Sequence, residues 1–330
     1  MTTIPSGLGG TLGVSTETTP GTFVAPSEFF YFTKEAMEKK NINVVSDTLG
    51  SGRTHLNTRR VITGVDVTGS IDLDLTDTGV GVLFKHALGA TPVTTEVTTG
   101  VYQHVFALGD PTGSALSVQV GRPSVDGNIH CFSYVGCKVS DWTLGVAEGQ
   151  VAKLSLTVDG VNEVTESYTA PSYSADTNPF HFAQGQLSFG GTTYSGGTYA
   201  GAVKSIEIKG DNGLAVNRRT LGSLTKKEQI PETYIAYTGT FEVEFADMAL
   251  YTQFANGTSA AVEFTLIGGD IGGGNQAVVD VTIPSVFIDT TDGPYVQGPG
   301  ILTQKIAFTV FSDGTDAPIT VTTITTDATV

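Results

Sequence analysis

The same succession of residue types is written twice in this chain, and that constrains its fold more than any other feature. From Thr48 to Gly89, a basic, glycine-punctuated arm leads through Thr68-Gly69-Ser70 into an alternating strand and then an apolar helix. From Thr220 to Gly257 the order returns, with Thr238-Gly239-Thr240 at the matching place. Ile71, Leu73 and Leu75 recur as Phe241, Val243 and Phe245, and Asp72 and Asp74 as Glu242 and Glu244. Asp77 recurs as Asp247 and Phe84 as Phe254. Few residues are identical, but their physical type is kept position by position. The pattern predicts an internal duplication, with a first repeat over 1–165, a linker over 166–178 and a second repeat over 179–330.

Within each repeat the signals are those of an all-β domain carrying one short helix. Ser70 to Leu75 alternates strictly, which is the mark of a half-buried strand. Asp77 is expected to cap a helix whose Val80, Leu83, Phe84, Ala87 and Leu88 form a core stripe, closed by Gly89. Lys85 and His86 stand near its C-terminus, where the helix dipole favours cations, so His86 reads as structural. The aromatic-dense strand Glu28 to Phe32 has counterparts at Gln186–Phe189 and Lys204–Ile208. Residues 90–116 have no counterpart and read as an inserted hairpin. Leu116, Val118 and Val120, the run from Cys137 to Leu144, and Ala152 to Val158 continue the first repeat as strands matched in the second. Pro284 interrupts one of the matched strands and predicts an edge or a bulge there. Residues after Pro318 form either a last strand or a frayed end. The two arms, about 44–65 and 214–236, lack sustained periodicity and read as interaction segments.

Composition narrows the function. Abundant Gly and Thr with short Val, Ile and Phe runs between turn residues fit an all-β chain. The net charge of −16 argues against a protein that grips DNA. No signal peptide is visible in MTTIPSGLGG, and no apolar run is long enough to span a bilayer. Cys131 and Cys137 lie about 20 Å apart if CFSYVGC is one strand, so two free thiols are expected, as in a protein made in a reducing compartment. The five histidines have no zinc-type spacing, the glycine runs fit no phosphate loop, and no serine sits in a nucleophile elbow. Aspartates in turns match no calcium-binding repeat. Asp72/Asp74 and Glu242/Glu244 read more simply as an acidic surface than as paired catalytic carboxylates. No enzyme, metal or cofactor is expected.

The chain as a whole resembles the major tail tube proteins of long, non-contractile-tailed bacteriophages. The resemblance rests on FFYF, the TLGS-containing basic arm, TGSIDLDL with its short helix, LSVQVGRP, FSYVGCKVSDWTL, VAKLSLTVDG, VKSIEIKGDNGL and YTGTFEVEF. It covers roughly residues 5 to 325 and is one of organisation, without a single diagnostic motif. It implies β-sandwich or open-barrel domains, six to a ring, whose inner strands join into a continuous barrel. Stacked rings form the hollow tube through which the DNA genome passes into the host, without specific binding. It also implies tape measure, tail terminator and distal tail proteins as partners. Ordinary members carry one domain per chain; two per chain imply a trimeric ring with pseudo-six-fold symmetry.

Two sets of residues are expected to matter. Asp72, Asp74, Glu242 and Glu244 are expected to line the lumen, in a surface poor in exposed Lys and Arg that repels phosphate. Arg53, Arg59 and Arg60 in the first arm, with Arg218, Arg219, Lys226 and Lys227 in the second, are expected to connect subunits and rings. A second reading is a secreted or surface-displayed two-domain β-sandwich adhesin or carbohydrate-binding module. It calls for clustered exposed aromatics, of which Tyr194 and Tyr199 are the only hint.

Overall fold

The computed structural model describes residues 6–330 except 48, 50–51, 175–176, 195–201 and 297. In its first half the strands are β1 (Thr11–Thr16), β2 (Glu28–Phe30), β3 (Lys34–Glu35), β4 (Glu38–Val45), β5 (Arg60–Asp74), β6 (Val93–Thr98), β7 (Val101–Ala107), β8 (Leu116–Pro123), β9 (Ile129–Ala147), β10 (Lys153–Gly160) and β11 (Asn162–Val164). Then come β12 (Gly185–Phe189), β13 (Thr192–Thr193), β14 (Val203–Asp211), β15 (Ala236–Glu244), β16 (Ala260–Gly272), β17 (Asn275–Asp292), β18 (Thr303–Val310) and β19 (Thr320–Thr325). Helix α1 (Gly81–Leu88) follows β5 and helix α2 (Ala249–Asn256) follows β15. The protein is all-β with two short helices.

Two long strands set the architecture, because each changes neighbours half-way along. The first part of β9 lies between β8 and β11, and its last part lies between β10 and β14. The first part of β17 lies between β16 and β19, and its last part pairs with β18. The change in β17 falls at a register shift over Pro284–Ser285. Proline has no N–H to give the ladder, so the expected bulge sits where the strand bends into the next layer. In β9 the matching shift falls between Val139 and Asp141.

One continuous sheet results, running β4-β5-β10-β9-β14-β15-β18-β17 with every neighbour antiparallel. Two outer sheets pack on it. One runs β2-β1-β8-β9-β11. The other runs β13-β12-β16-β17-β19-β7-β6. The core between the layers is built by alternation. Ile71, Leu73, Leu154, Leu156, Leu144, Ile206, Ile208, Phe241, Val243, Ile306 and Phe308 are all buried. Trp142 packs against Tyr237, and Phe189 against Phe241 and Phe308. The two Thr-Gly steps serve close approach. A Cβ on Gly69 would meet the Met37 backbone at 2.6 Å, and one on Gly239 would meet the Phe308 ring at 2.2 Å.

Several local expectations change. Asp77 does not cap α1, whose N-cap is Val80 without a side-chain bond. Its carboxylate instead accepts from the backbone N–H and side-chain amide of Asn178, tying down the connecting segment. Gly89 does close the helix, in the left-handed conformation. The 90–116 insertion is the β6–β7 hairpin, but it does not stand free: β7 pairs with β19, so the residues after Pro318 form a last strand held between halves. The first arm is not structureless. Asn41 to Val45 pairs with Arg60 to Val65, making it the outer end of a hairpin. It shows no sequence period because a two-stranded ribbon with no layer behind it has no buried face to alternate with. The TLGS segment of that arm falls mostly outside the described residues, at 48 and 50–51.

Candidate assembly interface

The eight-stranded sheet has one buried face and one polar face. Asp72, Asp74, Glu242 and Glu244 all lie half-buried on the polar face, alternating with the buried Ile71, Leu73, Leu75, Phe241 and Val243. The structure therefore brings the four carboxylates onto one surface. It also corrects their surroundings. Asp74 lies directly across from Lys153, and Glu242 across from Lys305. Lys34 stands 4.0 Å from Asp72, Lys209 2.7 Å from Glu207, and Lys204 3.9 Å from Glu244. The face is a mixed ladder of acid, lysine and hydroxyl, not a purely acidic belt. Like charges directly opposite one another destabilise a sheet, and here carboxylates face lysines across the ladder, Asp74 opposite Lys153 and Glu242 opposite Lys305.

The basic residues of the two arms meet different fates. Arg53, Arg59 and Arg60 are exposed at the outer end of the β4–β5 hairpin. That end also presents Val44, Val45, Leu56, Val61 and Ile62 to solvent. The second arm instead lies against the first half of its own chain. Arg219 donates to the Val65 carbonyl at 2.9 Å and to Asp66 at 2.5 Å. Lys226 is buried and paired with Asp159, with Asp66 3.5 Å away. Gln229 donates to the Asp159 carboxylate at 2.7 Å. Burial pushes the Asp159 carboxyl up, against the pull of its hydrogen bonds to Lys226 and Gln229. Lys138, buried under the arm, donates to Glu228 at 2.7 Å and to the Gln229 carbonyl at 2.8 Å. Of the arm's four expected connector residues only Arg218 and Lys227 are exposed, and Arg218 donates to the Glu228 carbonyl. Sequence reasoning missed Lys138, Asp159 and Gln229: Asp159-Gly160 has the composition of a turn, but both residues lie in β10, and their partners in the arm are distant in the chain.

The sheet also has two open ends. β4 pairs with β5 alone, and the last part of β17 pairs with β18 alone among the described residues. Unpaired edges of this length are aggregation liabilities unless something covers them. The phage tail tube protein family matches residues 7–310. This chain belongs to that family. It is a structural protein of the bacteriophage tail, and tail tube proteins assemble with copies of themselves and with other tail proteins. Comparison with curated protein sequences finds no match.

The other candidate sites carry little. His86 is buried, with Thr16 Oγ1 3.0 Å from Nε2, and burial together with Lys85 and Lys138 lowers its pKa to about 3. It is a structural histidine. Both cysteines are free thiols. No metal-binding group of His, Cys, Asp or Glu occurs among the described residues, and no helix there is long and apolar enough to cross a membrane. Of the two tyrosines expected of a carbohydrate-binding module, Tyr194 is buried and Tyr199 lies outside the described residues.

Proposed function

We propose that three copies of this tail tube protein close into a ring, each giving two domains, and that stacked rings form the conduit for DNA ejection. The observation that carries the reading is the seam between β9 and β14. There the first half of the chain meets the second edge to edge, Ile206 opposite Val146 and Ile208 opposite Leu144. The strands on either side follow one order: β4-β5-β10-β9, then β14-β15-β18-β17. This supports the duplication read from the sequence, with β14 standing for β4 and not for the Glu28–Phe32 strand, and β17 for β9. The open edge of β17 then matches the open edge of β4 on a neighbouring chain, antiparallel as at the internal seam. Repeating that joint closes the sheet and removes both edges.

In this ring the mixed polar face, with Asp72, Asp74, Glu242 and Glu244, lines the lumen. Each lysine there stands beside a carboxylate, so no cluster of free cations offers phosphate a strong site. The second arm already joins one half to the next within the chain. The first arm, with Arg53, Arg59 and Arg60 exposed, joins one chain to the next and ring to ring. Electron cryomicroscopy of assembled tubes tests the reading. Three chains per ring are expected; six chains per ring, or the polar face on the outer wall, refutes it.

A further inference from the structure

We propose that Asn41 seals the joint between neighbouring copies of this chain, as Asn212 seals the joint between its two halves. The proposal rests on the ring reading above and names the residue that locks its seam.

Asn212 sits one residue beyond β14 and is buried. Its backbone N–H donates to the Ser140 carbonyl at 2.8 Å, extending the β9 seam. Its side-chain amide donates to the carbonyls of Ala87 and Val139, each at 2.9 Å. Both amide hydrogens are thereby used, one on β9 and one on the last turn of α1. The carbonyls of a last helical turn have no partner within the helix, so Asn212 satisfies one that the seam buries. The helix there is sealed: Val82, Leu83, Phe84, Ala87 and Leu88 are all buried.

The second end of the sheet repeats this arrangement with the partner missing. Lys209 lies opposite Thr238, and Glu38 lies opposite Thr68, the equivalent threonines of the two Thr-Gly steps. Three residues on from each stand Asn212 and Asn41. Asn41 is exposed on the open edge strand β4, and its side-chain amide makes no hydrogen bond among the described residues. On the other open edge, α2 is closed by Gly257 as α1 is by Gly89, so by the helix ends Ala255 stands where Ala87 stands, two positions away from the sequence match of Phe84 with Phe254. Ala255 is exposed, and only Leu250 of α2 is buried. Met248 and Tyr251 also lie open, 53% and 43% exposed. The occupant is therefore β4 of a second copy, with Asn41 reaching the Ala255 carbonyl and the β17 backbone beside Pro284–Ser285.

Two measurements on the full-length chain test this. Asn41→Leu removes both donors at an exposed site, so circular dichroism and melting of the unassembled chain should not change. The concentration needed for ring and tube formation, read by mass photometry and electron microscopy, should rise by about tenfold or more, since buried carbonyls lose their donors. In the second measurement, Asn41→Cys/Ala255→Cys with a short thiol cross-linker should give covalent two- and three-chain species, absent from the parent chain with its two native cysteines. If wild type forms rings, Asn41→Leu assembles normally and no cross-link forms, the seam residue is wrong while the ring reading stands. If the thiol introduced by Asn41→Cys links only to another tail protein, the proposal also fails. If wild type forms no rings under any assembly condition, the ring reading fails and takes this proposal with it.

Discussion

Lys226→Met is the sharpest test of why the second arm stays on its own chain. The Lys226 and Asp159 side chains are 2% and 5% exposed, and they are paired to one another. Methionine keeps most of the lysine stem's volume but leaves Asp159 facing Gln229 alone in a buried site. Removing one partner of a buried pair costs about 3–5 kcal/mol, because the remaining charge is uncompensated. The arm has an escape: by lifting off β5 and β10 it returns Asp159 to water, so the loss cannot exceed the free energy of that local opening. Urea unfolding at neutral pH should show a stability loss of about 3 kcal/mol with little change in slope. Limited proteolysis should cut within 214–236 far faster than in the parent. Adding Asp159→Asn should recover much of the loss, with a coupling of about 2 kcal/mol or more, since the two residues touch. A single variant costing under about 1 kcal/mol, with the arm still protected, would refute the view that this buried pair pins it.

Two further outcomes are expected. His86 is held below its unfolded pKa of about 6.5, at about 3, so the unfolded chain takes up the proton first as pH falls. Its contribution to stability is full above about 6.5 and is lost between about 6.5 and 3; at pH 5 the loss is about 2 kcal/mol, and His86→Gln should flatten that part of the pH profile of urea unfolding. Arg59→Glu/Arg60→Glu alters only exposed side chains and should leave stability within about 0.5 kcal/mol, while electron microscopy at physiological salt shows tube growth blocked; full-length tubes from this variant would sink the connector role of the first arm.

What the sequence determined by itself is local and periodic. Alternation at Ile71, Leu73, Leu75 and at Phe241, Val243 assigned faces, because a strand's side chains have a period of two and a buried face must be apolar. Gly89 ended a helix because only glycine enters the left-handed region there without cost. Pro284 marked a bulge because it lacks a donor. The shared family organisation was legible for the same reason: it is carried by a succession of such local signals. What only the tertiary structure decided involves partners distant in the chain. Nothing in the local pattern says that Asp77 meets Asn178, that β7 meets β19, or that Lys226 is buried on Asp159. Lys226 and Arg59 look alike as basic residues in unpatterned arms; one is sealed under its own chain and the other is exposed. The difference is made by what each arm finds beneath it. The second arm lies on a complete sheet already paired across β9 and β14, whereas the first lies at a sheet edge that its own chain leaves open.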